Sequence, residues 1–452
     1  MINPLELEKR AREGSYVDSR SFDLGLSKAV ARLERDYDIR YEAGSIIPCD
    51  PTLAKDLFNA GLELLLEVGA YVVDVNRVVK LNEDEIREAL SSVTTEVHVG
   101  EGSESKDLRA RKPATTEKPF VFGGYAGTPT PLEDFKESAL TYALEPLVCA
   151  LDHGSITCIE GLNVSRGAPS EVEATLIEID LLRAALREAG RDGMHILACE
   201  SSSSSAGNLA AMATGRLRKG DAQLVPVLNE LKISNDLLLK AHVALQCGVH
   251  NAALVDPIVG GFARGAAGSA ICSVAEALLT ICMYKASYVL IHPYHIHLKA
   301  TSARECLWVE AAIGLAGENL RIPLVGDVWP ANGGGTLEML YEVAANAMVA
   351  SSCGLNLLGP APANGEKPHG SGLEARLMAE IGIAATGMKP EEASEVAAEI
   401  VKLYEASLRD PNPGLPFREL YDPNRRSPSQ WWQEMYEKVK RVLNDYGFRI
   451  PA

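Results

Sequence analysis

Basic side chains are scarce. Lys and Arg number 44 against 61 Asp and Glu, a formal charge of −17 over 452 residues. That shortage excludes a nucleic-acid binder, which needs clustered cations to neutralise phosphate. It also argues against docking on an anionic membrane surface. Cysteines number nine, an odd count, and no two stand in a CxxC pair. They read as reduced core thiols of a cytoplasmic protein, not as a disulfide framework. No long uncharged apolar run is present: the stretches 266–284 and 344–358 carry Ser, Gly, Glu or Asn and do not read as membrane spans. The first residues, MINPLELEKRAREG, lack a signal-peptide apolar region. No GxGxxG follows the first apolar run, so a dinucleotide fold has no support. No GxSxG occurs, and the five serines after Glu200 read as a loop and helix start.

What remains is an ordinary globular mix, 46% hydrophobic and 23% charged. Residues 1–115 have helical spacing, with acids opening a helix at Asn82. Residues 100–119 read as a charged loop. After it, short apolar runs alternate with helical segments. The runs are 120–122, 155–159, 194–199, 242–247, 288–292, 322–329 and 348–358, with helices such as 170–188, 268–284 and 302–316 between them. Apolar strands alternating with helices predict a parallel sheet, and seven or eight such units predict an α/β fold of the (β/α)8 barrel type. The predicted division is an N-terminal helical extension (1–115), the barrel (116–385) and a C-terminal helical extension (386–452) packed on its outside.

In such a barrel the chemistry sits where strands run into the following loops. Those points are acidic and nearly free of base. From 322 to 365 the only charges are Asp327, Glu338 and Glu342, and from 241 to 283 they are Asp256, Arg264 and Glu276. Glu200, Asp256 and Asp327, with the aromatics Tyr125, Phe262, Tyr294 and Trp329, predict a mouth suited to a cation through charge and cation–π attraction. Taken singly, each acid serves equally well as a helix cap and each aromatic as a barrel plug. His292, His295 and His297 are a second candidate. With a further ligand they would make an open zinc site, although no Cys or acid completes a known spacing and Pro293 disturbs the strand. The segment Gly260-Gly261-Phe-Ala-Arg-Gly265 is a weak anion cradle.

The order and spacing of several segments carry a resemblance to a known family. They are Ile47-Pro48 with the helix 57–69, Leu81-Asn-Glu-Asp-Glu-Ile86, Gly123-Gly124 and Asn229-Glu230-Leu231-Lys232-Ile233. Further on come Pro257-Ile258 with Gly260-Gly261, Thr301 with Arg304-Glu305, and Gly372-Leu-Glu-Ala-Arg376 with Glu380. Through these the chain resembles the monomethylamine:corrinoid methyltransferases of methylotrophic methanogens, nearly end to end. The resemblance implies a TIM barrel binding a methylated amine in an acidic mouth. It implies no tightly held cofactor, but a separate corrinoid (cobalamin) protein as partner. It also implies a homo-oligomer, a hexamer in the family. Family members carry pyrrolysine at one strand end. Aligned through the following glutamate, Glu200, that position is Leu197 here. The family's two other polar contacts to pyrrolysine, a glutamate and a glutamine, fall on Leu254 and Val328.

Coordinated replacement of interacting polar groups by aliphatic ones is physically coherent, because a buried polar group that has lost its partner is costly. The expectation is a pyrrolysine-independent corrinoid methyltransferase acting on a methylated amine, quaternary by preference, or a related cation. Glu200, Asp256 and Asp327 hold the cation, Trp329 and Tyr125 wall the site, and His295 (which matches a family histidine) and Asn332 line it with Leu197, Leu254 and Val328. The alternatives are a zinc methyltransferase built on the three histidines, and a methylamine-binding paralogue that no longer transfers methyl groups.

Overall fold

A computed structural model describes residues 3–448 and Ile450. Eight parallel strands close into a barrel: β1 (Val121–Gly123), β2 (Ala150–Asp152), β3 (His195–Ala198), β4 (Ala222–Pro226), β5 (His250–Val255), β6 (Tyr288–Ile291), β7 (Leu324–Asp327) and β8 (Asn356–Gly359). The helices that follow them are α1 (Leu132–Ala143), α2 (Pro169–Glu188), α3 (Ala206–Ala213), α4 (Asn235–Cys247), α5 (Ala266–Met283), α6 (Arg304–Leu320), α7 (Leu337–Ser352) and α8 (Gly372–Ala384). The expected (β/α)8 barrel is present.

Strand alternation divides the side chains between two layers. Phe122, Ala150, Leu197, Ala222, Ala252, Tyr288, Val325 and Leu358 fill the barrel's inside. Ile196, Val225, Ala253, Val289 and Leu357 face outward into the larger core beneath the helices.

Several boundaries differ from the sequence reading. The run 155–159 is not a barrel strand; that role belongs to Ala150–Asp152. The run 242–247 lies inside α4, and the strands on either side of that helix are β4 and β5. The run 348–358 is the end of α7 followed by β8. Short apolar runs carry too few residues to show the period by which helix and strand can be told apart.

The region before the barrel is also less purely helical than its spacing suggests. Strands Ser15–Tyr16, Ala70–Val72 and Arg77–Val79 form a small sheet there. Within the expected charged loop, Lys106–Arg109 pairs with Glu96–Val99 as a hairpin. Its Val97, Val99 and Leu108 close the bottom of the barrel interior.

The N-terminal helix Leu53–Val68 covers α5. Helix α5 is mostly apolar, with Glu276 as its one charge, and every one of its residues is buried, which is stable only when both of its sides are packed. The approach is close: a Cβ on Gly61 would lie 2.5 Å from Val274 Cγ1. The same small sheet takes in Lys232–Ile233 from the loop after β4, paired in parallel with Tyr71–Val72. The N-terminal extension therefore fixes a loop at the barrel mouth.

Buried glutamates on the helices hold the other mouth loops. Turns that leave the sheet have N–H groups with no strand partner, and burial demands acceptors for them. Glu178 on α2 accepts from the backbone N–H of Cys199 at 2.8 Å, Glu200 at 3.1 Å and Ser201 at 2.7 Å. Glu276 on α5 accepts from Leu231 N–H at 3.1 Å. Glu342 on α7 accepts from Ala331 and Asn332 N–H at 2.6 and 3.0 Å. Replacing Glu178 by Ala strands three buried donors. It is expected to destabilise the protein by about 2–4 kcal/mol, with Glu178→Gln less severe. Thermal melts of the two variants beside the parent check the order.

Candidate active site

The C-terminal ends of the strands surround a cavity of about 420 Å³. Four carboxylates reach it: Asp152 at the end of β2, Glu200 after β3, Asp256 after β5 and Asp327 at the end of β7. An apolar wall of Leu224, Leu254 and Leu290 from β4, β5 and β6 shares the cavity with the acids, with Leu254 and Leu290 side by side in register. His292, Tyr294 and Trp329 complete the mouth with Asn229 and Ile258.

Local backbone geometry aims these groups. Cys199 takes a left-handed conformation (φ 74°), turning the chain out of β3 so that Glu200 faces inward. Gly127, also left-handed (φ 72°), lies under the Glu200 carboxylate, and a Cβ there would come within 2.9 Å of Oε2. Asn229 Nδ2 donates to the Asp256 carbonyl at 2.6 Å, which ties the loop after β4 to the loop after β5. His292 Nδ1–H donates to Asp327 Oδ2 at 2.8 Å. The Trp329 ring stands edge-on to His292, with centroids 4.6 Å apart at 88°. It occupies the space that a side chain on Gly365 would need.

The acids are poorly satisfied. Asp152 Oδ1, Glu200 Oε1, Asp256 Oδ1 and Asp327 Oδ1 are buried atoms without a hydrogen-bond partner, as is Trp329 Nε1. Glu200 and Asp256 keep some surface open to the cavity, but the protein around them removes most of their water. Burial, then the negative charge of Glu178 and Asp327, pushes the Glu200 carboxyl up to about 8, against the pull of Lys240. Burial raises Asp256 to about 7, with His292 opposing and Glu230 adding to the rise. Asp152 is also raised well above the carboxylate range by burial and by Glu200, Asp327 and Glu178.

Of the residues singled out in the sequence, Glu200, Asp256, Asp327, Leu254, His292, Trp329 and Tyr294 line this cavity. Others do not. Leu197 is fully buried one level down, in register with Asp152 and Ala222, as part of the plug beneath the cavity. Val328 points outward into the helix-side core. A one-residue step along a strand reverses the face, so the β7 side chains that meet the cavity are its neighbours, Asp327 and Trp329.

Tyr125 is buried outside the cavity beside the end of β1, stacked on His153 with its hydroxyl donating to Gly370 O at 2.5 Å. Asn332 is a tie between elements: Nδ2 donates to Glu342 Oε1 at 2.7 Å and Ser407 Oγ at 2.8 Å, and Oδ1 accepts from Asn412 N–H. Phe262 is 43% exposed and lies outside the cavity.

The three histidines do not gather into a ligand set. His292 is committed to Asp327. His295 Nδ1 accepts from the backbone N–H of His297 and Leu298, and His297 is exposed. Among the described residues the group spaced for a metal is Glu96, His98 and Asp107, exposed on the bottom hairpin. There Arg109 already pairs with both acids.

Sequence reasoning missed Asp152, Leu224, Asn229, Ile258 and Leu290. A signal for Asp152 was present, since 149–152 is an apolar run ending in an acid, like those ending at Asp256 and Asp327. A carboxyl group whose pKa is raised by folding contributes stability that is full below its unfolded value and lost as pH rises through the folded one. Glu200→Gln removes that loss. Relative to the parent, the variant is expected to gain roughly 1–3 kcal/mol on going from pH 5.5 to pH 8.5. Melting curves at the two pH values measure the gain.

Comparison with known proteins agrees with this architecture. The family model described as "Monomethylamine methyltransferase MtmB" matches residues 2–448. Monomethylamine methyltransferase MtmB1 of Methanosarcina barkeri is 32% identical over 446 residues, covering 97% of this chain and 96% of the relative. Monomethylamine methyltransferase MtmB of Methanosarcina mazei is 32% identical over 444 residues, with the same coverage. The crystal structure of the Methanosarcina barkeri monomethylamine methyltransferase superposes with a TM-score of 0.95 at 31% identity, covering 98% of each chain. A crystal structure of a hydroxylamine complex of MtmB superposes equally well. With the barrel, its terminal extensions and nearly every residue aligned, this chain belongs to the monomethylamine methyltransferase family.

Proposed function

We propose that this chain is a pyrrolysine-independent methyltransferase that takes a methyl group from a methylated cation, a quaternary ammonium or sulfonium ion, and delivers it to a corrinoid carried by a separate protein. The observation that carries the reading is one cavity lined both by an apolar wall, Leu224, Leu254 and Leu290, and by four carboxylates. Leu197 seals the level below.

A protonated primary amine is small and strongly hydrated, and a leucine wall cannot replace its water. A quaternary ammonium or sulfonium ion spreads its charge over methyl surface. It is accommodated by apolar side chains, by the Trp329 and Tyr294 rings and by carboxylates at a distance. Among the described lining residues there is no Lys or Arg, so the carboxylate of a betaine finds no countercharge inside. The favoured substrates are therefore net cations.

Methyl transfer from such a cation needs little acid–base chemistry. The bond from nitrogen or sulfur to the methyl carbon breaks, its electron pair stays with the heteroatom, and a neutral amine or thioether leaves. The corrinoid's Co(I) supplies the nucleophile. This chain's part is alignment and electrostatics. Asp152, Glu200, Asp256 and Asp327 hold the positive centre, His292 fixes the Asp327 carboxylate, and the leucine wall with Trp329 fixes the methyl groups. Exposed Phe262 and Ile296, each 43% accessible, stand on loops at the rim and suit the docking of a partner.

The test is methyl transfer to Co(I)-cobalamin, free or protein-bound, from monomethylamine, trimethylamine, tetramethylammonium, choline, glycine betaine and a dimethylsulfonium compound. Transfer from a quaternary or sulfonium donor is expected, and activity with monomethylamine alone would overturn the reading. Trp329→Ala is expected to raise KM for the active donor about tenfold, the size of a desolvated cation–π contact. Steady-state kinetics with Trp329→Phe as the milder variant measures it.

A further inference from the structure

The cavity holds more carboxyl groups than its surroundings can neutralise. Asp152 and Asp327 are 2% and 4% exposed. Together with Glu200 and Asp256, each keeps one buried oxygen without a partner. Among the described lining residues only His292 can carry positive charge, and its Nδ1–H is spent on Asp327.

The groups behind the wall do not redress this. Glu178 on α2 faces Asp152 and Glu200 and adds negative charge. Glu230 does the same for Asp256, and burial with Asp256 and Glu230 raises Glu276 well above the carboxylate range. Tyr288 on β6 faces Asp152 as a neutral phenol. Lys240 on α4 is the one buried cation near Glu200. Several like charges in one desolvated space cannot all be ionised, and such groups titrate together.

We propose that the empty cavity keeps one of its carboxyl groups as the neutral acid, and that an entering cation expels that proton, so binding near neutral pH exchanges one proton for one cation. The inference rests on the reading of the cavity as a cation site. The exchange balances: a unit positive charge enters, a proton leaves to solvent, and the net charge of the cavity is unchanged. Burial, with repulsion from Glu178 and Asp327 at Glu200 and from Glu230 at Asp256, holds Glu200 near 8 and Asp256 near 7, so the groups that would release the proton lie close to neutrality.

The sign follows. Below these values each proton must be displaced, so affinity rises with pH by up to about tenfold per unit, and it levels off once the carboxyl is already ionised. A site with its acids fully ionised would show no such slope.

Titration calorimetry of the full chain with tetramethylammonium chloride tests the exchange, using phosphate and Tris buffers at pH 7, whose heats of protonation differ. The expected result is a buffer-dependent heat corresponding to about one proton released, with Kd falling about tenfold between pH 6 and 7 and flattening above pH 8. Glu200→Gln is expected to bind the same ion with less proton release. Binding with equal heats in both buffers and a pH-independent Kd overturns the exchange and leaves the cation site standing. Absence of binding by tetramethylammonium, choline and a trialkylsulfonium alike overturns both.

Discussion

A carboxyl group removed from water must find N–H donors, a cation or a proton, and that requirement organises this protein. Glu178, Glu276 and Glu342 meet it with backbone N–H groups. In doing so they pin the turns that leave the barrel strands. The carboxyls that face the cavity, Asp152, Glu200, Asp256 and Asp327, meet it only in part. The first set is structural because its bonds are made within the fold, by both oxygens of Glu178 and Glu342 and by one oxygen of Glu276. The second is chemically poised because its demand is left for a proton or a ligand. The two sets touch at Glu178, which orders the turn carrying Glu200 and also raises its pKa.

The terminal extensions serve the same end. Leu53–Val68 covers α5, whose largely apolar surface could not stand open to water. The small N-terminal sheet captures Lys232–Ile233 and so steadies the loop that presents Asn229. At the other end of the chain, Asn332 links the loop after β7 to Ser407 and Asn412. Trp432 Nε1–H donates to the buried Glu374 at 3.2 Å. Segments far from the cavity thus limit the freedom of the loops around it, as rigid support for a preorganised site requires.

Much of the fold was legible in the sequence. Alternating apolar runs and helices announce a parallel barrel, because a strand buried on both faces has few residue types open to it. The acids Glu200, Asp256 and Asp327 were legible for a related reason: a charged residue ending an apolar run in a base-poor stretch is conspicuous. The misreadings share one cause. Apolar runs at 155–159 and 242–247 resemble strands because five or six residues are too few to show the period that separates strand from helix. Assigning the second strand five residues late hid Asp152.

The sequence by itself determined the barrel class, the acid-rich and base-poor mouth, and the leucines at 197 and 254. These follow from composition and from position relative to strand ends, and neither requires knowing where a side chain points. Only the tertiary structure decided which of them meet. Strand alternation sent Val328 outward and Asp327 with Trp329 inward. The barrel's closure brought β2 beside β3 and put Asp152 among the acids. Separate hydrogen bonds drew His292 away from His295 and His297. Facing direction and proximity across a closed sheet depend on register, which a linear pattern does not encode when both faces of every strand are buried.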